Sequence, residues 1–226
     1  MSWLAHTQFL DSAFPIGTFA HSFGLETLVQ EQKIQTASDL REFCETMLFG
    51  SWAPGETLAI TAVYELVPAQ KFEELWEFDR AFHLARAARE SREASRKIGK
   101  RMLEMGRALH PNFDFEPLMA AISDGRAVGT HPVIYGWICY HLRVDVERAA
   151  TGWLYMALSG AVNNATRAMR LGQTDAQKII AALTPQIELA WREVESRDFW
   201  DFETSVPQLD IAAMRHETLY SRLFMS

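Results

Sequence analysis

Seven histidines and two cysteines are the side chains best suited to hold a metal ion or to act as nucleophile or base. Their spacing gives neither chemistry a local frame. His6, His21, His83, His110, His131, His141 and His216 are scattered, and no HExxH, HxH or CxxC pattern occurs. Cys139 and His141 stand two apart, which places them on different faces of a helix. His216-Glu217 lacks a second histidine four residues on, so it is not half of a zinc motif. There is no GxSxG turn and no glycine-rich dinucleotide turn followed by an acidic residue. The one Gly-Lys pair, Gly99-Lys100, has Ala94 where a phosphate loop needs its first glycine and Arg101 where it needs Ser or Thr. The pattern predicts no catalytic residues, no metal ligands and no cofactor. A site assembled from distant residues stays open.

The densest charge lies in RAARESREASRKIGKR, Arg86 to Arg101. By itself this reads as a basic helix for nucleic acid. Within it, however, Arg86–Glu90, Arg89–Glu93 and Glu93–Lys97 are i, i+4 pairs of the kind found on a solvated helix face. The net charge of −7 also argues against general nucleic-acid binding. A solvated or partner-facing surface is the expectation, with a helical nucleic-acid adaptor as the rival.

The elements that would position these groups are helical. Ser2 to Leu10 reads as a short helix. From Thr36 onward Leu40, Phe43 and Met47 form a stripe at 3.6-residue spacing, with Thr36 and Ser38 as cap candidates. Gly50-Ser51-Trp52-Ala53-Pro54-Gly55 reads as a break, and Glu56 to Leu66 as the next helix. A longer helical segment runs from Phe72 towards Arg107, its far end carrying Ile98, Met102, Met105 and Leu109 on one stripe. Pro117 suits the first turn of a short helix over 116–122. Val133 to Leu142 is apolar nearly all round and reads as buried, and Asp145 caps a helix running to about Arg170. Gly172 reads as the glycine closing that helix, and Thr174-Asp175-Ala176-Gln177 as a capping box opening another. Thr184-Pro185 reads as a further helix start, and Phe199 to Pro207 as a linker. The expectation is an all-α, single-domain bundle of about nine or ten helices spanning residues 1–226.

Composition agrees. Hydrophobic content of 48% with 23% charged residues is ordinary for a globular chain. Cys44 and Cys139 sit in apolar helical stretches and are expected as reduced, buried thiols. The first residues, MSWLAHTQFLDS, lack the basic region and cleavage site of a signal peptide. The longest apolar run, Gly152 to Val162, is too short to span a bilayer. A cytoplasmic protein is expected.

Two stretches do not read as ordinary bundle. DSAFPIGTFAHSFGLE is punctuated by Pro15, Gly17 and Gly24 and carries Phe14, Phe19 and Phe23 among small residues. The last seventeen residues, DIAAMRHETLYSRLFMS, gain large side chains where most chains fray. Leu209, Ala213, His216, Tyr220 and Leu223 fall on one helical stripe after Pro207. Such a tail, about residues 208–226, either docks on its own core or orders against a partner.

MRHETLYSRLFMS resembles the C-terminal signature of the UreF family of urease accessory proteins. PIGTFAHSFGLET (Pro15 to Thr27) and LGQTDAQKI (Leu171 to Ile179) resemble two further family motifs, in the family's order and spacing. The resemblance covers nearly the whole chain. It implies an all-α homodimer that binds the UreD (UreH) accessory protein and recruits and regulates the UreG GTPase for nickel insertion into apo-urease. It implies partner contacts at Phe19, His21, Tyr220, Arg222, Leu223 and Phe224. Pro15, Gly17, Gly24, Gly172 and Gln173 would form the two motif loops. Arg222 matches the family arginine linked to UreG recruitment, and is expected near Phe19 to pin loop carbonyls with its several donors. An arginine finger acting on GTP and a solvated ion pair are the rivals. Two positions depart from the family: Phe19 stands where tyrosine is frequent, and Arg170 where proline is usual.

Overall fold

The computed structural model describes residues 3–204 and 206–226. Ser2 of the first predicted helix and Ser205 of the predicted linker lie outside the described residues. Among the described residues the chain is helical, with no strand. Helix α1 spans Trp3–Leu10, and α2, Leu25–Gln30, follows the Phe-rich loop. Next come α3 (Ala37–Met47), α4 (Leu58–Leu66), α5 (Phe72–Ala85) and α6 (Arg89–Leu109). Then α7 (Glu116–Ser123), α8 (His131–His141), α9 (Val146–Ala168), α10 (Gln173–Arg192) and α11 (Pro207–Arg215) complete the set.

The apolar-all-round segment becomes α8, which packs against α4 and α6 with Val133 through Cys139 buried. Trp137 and Tyr135 on it are among the largest fully buried side chains. The long α9 packs along α10. Local signals place several ends. Thr36 accepts from the Asp39 amide while Asp39 accepts from the Thr36 amide, so α3 opens with a capping box. Asp145 caps α9 by accepting from the Arg148 amide. Cys44 and Cys139 are free and buried, and burial pushes the Cys44 thiol up to about 12.

Four local expectations are corrected. The Gly50–Gly55 stretch does not break the helix: α3 and α4 are one rod, joined by wide π-type turns over Leu48–Thr57 that contain Pro54. Two carbonyls of this segment take donors from outside the helical ladder. Thr57 Oγ1 donates to the Ala53 carbonyl at 2.6 Å, and the Glu203 amide to that of Pro54 at 3.0 Å. Gly55 is required because the 203–204 backbone runs over it: a Cβ there would stand 2.8 Å from the Glu203 carbonyl oxygen. Secondly, the segment from Phe72 splits into α5 and α6 at Arg86–Ala88. Thirdly, Gly172 does not close α9 in the left-handed region. Its φ is −70°, it precedes α10, and Thr174 forms no cap because α10 begins at Gln173. Fourthly, Pro185 opens no new helix and lies inside α10.

The turn before α8 is held by one buried carboxylate that sequence reading passed over. Asp79 of α5 accepts from the amides of Val128, Gly129 and Thr130 and from the Thr130 hydroxyl, at 2.6–3.1 Å. It fixes where α8 begins.

Candidate functional site

The tail folds back onto the Phe-rich loop, and backbone and side-chain hydrogen bonds join the two. The predicted helical stripe ends early. Helix α11 stops at Arg215, His216–Thr218 form one tight turn, and the chain beyond is irregular, so Tyr220 and Leu223 do not continue the stripe. The irregular backbone needs outside partners, and the loop and α2 supply them. The Met225 amide donates to the Ala20 carbonyl at 2.8 Å, and the Ser22 and Phe23 amides and the Ser22 hydroxyl donate to the Ser226 backbone oxygen.

Glu26, on the first turn of α2, is the hub. Its carboxylate is buried and accepts from the Leu223 amide at 2.6 Å, the Phe224 amide at 3.0 Å and Gln30 Nε2 at 3.2 Å. The ring of His216, fully buried, lies between Glu26 (Nε2, 3.0 Å) and Glu90 of α6 (Nδ1, 2.7 Å). Both carboxylates only accept, so the arrangement suits a ring that donates from both nitrogens. Burial alone would raise the Glu26 carboxyl. The Leu223 amide, His216 and the Phe224 amide outweigh burial and hold it below its ordinary value.

Gly24 makes this contact possible. Its φ is +93°, and an added Cβ would stand 2.9 Å from the Ala213 amide nitrogen of α11. Gly24→Ala is therefore expected to destabilise the tail contact by about 1–2 kcal/mol, the usual penalty for a side chain in the left-handed region. Faster proteolysis after Arg215 or Arg222, with α-helical content retained, is the check.

The predicted site residues divide sharply by exposure. Phe19 is 60% exposed, Leu223 51%, and Tyr220 projects wholly into solvent. Phe224 is buried, with the Arg167 guanidinium 4.8 Å from its ring centroid. His21 is buried as well. Its Nδ1 bonds the Ser226 hydroxyl at 2.7 Å, and burial, with Lys97 nearby, lowers its pKa to about 4. His21 and Phe224 thus hold the tail in place, while Phe19, Tyr220, Leu223 and Met225 are each exposed. Of the loop-forming residues, Gly17 (φ +85°) and Gly24 take left-handed turns, and the Pro15 carbonyl accepts from Arg101 Nε at 3.2 Å. Gly172 and Gln173 lie apart, at the start of α10.

Arg222 does not pin the loop carbonyls. It pairs with Glu90 at 2.9 Å and is 41% exposed. The residue that does pin the loop is Arg167 of α9, whose Nη1 donates to the Phe19 carbonyl at 2.6 Å. Asn164, one turn earlier, donates to the His21 carbonyl at 2.8 Å. The charged α6 face is corrected in the same way. None of its expected i, i+4 pairs forms: Arg89 pairs with Glu217 and Glu90 with His216 and Arg222, Glu93 pairs with Arg96 three residues on, and Arg86, in the break before α6, pairs with Glu56. That face docks the tail. No group of three or more His, Cys, Asp or Glu able to hold one metal ion occurs among the described residues.

The family profile of UreF matches residues 34–184 of the chain. This chain belongs to the UreF family. The matched span covers the helical body, and curated relatives extend the similarity through the loop and tail. The urease accessory protein UreF of Streptococcus salivarius is 31% identical over 99% of this chain and 94% of its own length. That of Bacillus sp. strain TB-90 is 32% identical, over 97% of this chain and 96% of its own length. That of Ureaplasma urealyticum is 35% identical, over 97% and 94%. These relatives are named as accessory proteins rather than as enzymes.

Proposed function

We propose that this UreF family member is a urease accessory protein acting in nickel insertion into apo-urease, by binding UreD (UreH) and recruiting and regulating the UreG GTPase. The observation that carries this reading is the clamped tail. It carries Tyr220, Leu223 and Met225 exposed, close in sequence to the ion pairs Arg89–Glu217 and Arg222–Glu90, and its backbone is bonded to the loop that carries the exposed Phe19. Aromatic anchors rimmed by charge are the composition of protein-contact hot spots. Because the tail backbone is bonded to Glu26 and to the loop, less backbone ordering entropy opposes binding. The nickel ion is cargo passed through weak, exchangeable contacts. The working unit is a cytoplasmic homodimer. No helix among the described residues is long and apolar enough to cross a membrane. Sedimentation as a strict monomer at micromolar concentration would count against the dimer.

Coexpression with UreD and UreG tests the reading: the chain should copurify with both, and without UreD it should not retain UreG. Arg222 faces solvent across Glu90, where a docking GTPase would meet it. Arg222→Ala should keep UreD and lose UreG, at least tenfold in recovered complex, since one charge-assisted contact is worth about 1.5–3 kcal/mol. Retained UreG with collapsed GTP hydrolysis would instead make Arg222 a finger on the nucleotide. If neither changes, it is a surface ion pair only.

A further inference from the structure

Behind the loop that clamps the tail, between α3, α6, α8 and α9, lies a cleft of about 170 Å³. Its walls are mainly apolar, with Trp52, Trp153, Met47 and Met156 around the middle. At one end they give way to a compact polar pole. There Arg86 pairs with Glu56 at 2.6 Å, and Trp153 Nε1 donates to the other Glu56 oxygen at 3.2 Å. His131, 93% buried and with its ring 4.5 Å from that of Trp153, completes the pole. Two polar atoms of this pole have no hydrogen-bond partner among the described residues: His131 Nε2 and Arg86 Nε. Buried polar groups are nearly always satisfied, so two such atoms at one lined cleft point to something that binds there.

We propose that this cleft binds a small, neutral, amphipathic molecule: a single aromatic ring carrying one hydroxyl or amide. The ring would lie among Trp52, Trp153 and the methionines, and the polar head on His131 Nε2 and Arg86 Nε. The size follows from the volume, because a dry apolar cavity of about 150 Å³ admits benzene. Neutrality follows from the charges. Glu56 and Arg86 cancel within the pole, and burial with the nearby Arg86 lowers the His131 pKa to about 3, so that ring is uncharged at neutral pH. An anion entering would meet the Asp11 and Asp210 carboxylates that also line the cleft, and at the pole itself an ion of either sign would lose its hydration with no net opposite charge to replace it. A head that accepts from Arg86 Nε and exchanges a hydrogen bond with His131 Nε2 satisfies both atoms, whereas a purely apolar guest leaves them unpaired.

The site is read on the full chain alone and does not depend on UreD or UreG. Phenol and toluene are titrated, with 13C-methyl methionine NMR and thermal denaturation as readouts. Phenol should perturb the Met47 and Met156 methyls and leave the exposed Met225 methyl unmoved. It should bind about tenfold more tightly than toluene, the factor one additional satisfied hydrogen bond confers. His131→Leu should erase or reverse that preference, and Ala157→Phe, which fills the cleft, should abolish both titrations. Should His131→Leu fail to fold, the native comparison and Ala157→Phe decide alone. No perturbation at Met47 and Met156, equal affinities, or unchanged binding in Ala157→Phe would each overturn the proposal. So would Ni2+ alone producing the same methyl shifts, since the cleft would then take a cation.

Discussion

Glu26→Ala is expected to release the tail while the helical body stays folded. The substitution removes the acceptor for the Leu223 and Phe224 amides and for His216 Nε2 in one step. Breaking one side of a buried, hydrogen-bonded charge cluster costs about 3–5 kcal/mol, because the remaining partners are left desolvated and unpaired. The tail has an escape that the core lacks: it can detach and hydrate those groups. The cost therefore falls on docking rather than on global stability. Amide exchange at Leu223 and Phe224 should quicken by at least about a hundredfold, the factor that corresponds to roughly 3 kcal/mol. Exchange in α8 should barely change.

Two comparisons sharpen this result. Glu26→Gln keeps the shape and one acceptor oxygen but turns an amide group towards donors, so its effect should fall between. Glu31→Ala removes the Arg215 pair at 3.2 Å on the exposed side of the same junction and should leave exchange at Leu223 and Phe224 close to the native rate. In coexpression, Glu26→Ala should lose UreD along with the ordered face that Tyr220 and Leu223 present. Global unfolding of Glu26→Ala would mean that the tail is part of the core. Unchanged exchange would mean that the backbone bonds to Ala20, Ser22 and Phe23 hold it without Glu26.

The periodicity of the chain carries most of the fold and little of the clamp. Helix α8 is legible because a segment apolar on every face has only one place to go, and Thr36 and Asp145 cap where their types predict. Pro54 misleads for a physical reason: wide π-type turns carry the helix past it, and no local pattern announces that. Glu90 and Arg167 read in sequence as ordinary polar residues of helix faces, and Glu26 as the end of the glycine-punctuated loop. Their partners lie far away in the chain, Glu26 finding His216 190 residues on and Arg167 finding Phe19 at 148. Such pairings leave no trace in spacing. The motif resemblance points to the loop and the tail but not to the bonds between them, so it expects Arg222 where Arg167 stands. His216 fell on the predicted stripe and proved buried, but its two carboxylates lay beyond any local signal.

Acid is expected to unfold this protein steeply between about pH 6.5 and pH 4, with protonation of buried histidines as the cause. Burial lowers His6, His21, His83, His110 and His131 below the ordinary histidine value, to about 4 for His21 and about 3 for His131. With the folded pKa depressed, the unfolded chain takes up the proton first. Stability is then complete above the ordinary value near 6.5 and is lost as pH falls towards each folded value. His21 and His131, the deeply buried pair, each contribute a slope of up to about 1.4 kcal/mol per pH unit within their own windows, while solvent screens the part-exposed His83 and His110. Glu26, held low by its amide donors and His216, adds in the same sense at more acidic pH. Glu65, raised by burial and by Asp198 and Glu74, opposes it in part. His21 and His131 have the widest windows and so carry the largest share. They also separate by region, since His21 bonds the tail residue Ser226 and His131 sits at the start of α8. His21→Gln should flatten the slope and protect the tail against acid release, while His131→Gln should flatten the slope for the body alone. The check is urea denaturation of the three proteins at half-unit steps from pH 7.5 to pH 4, with tail proteolysis alongside. A native slope near zero over that range would show that the histidines are hydrated, and equal slopes in all three proteins would assign the acid response elsewhere.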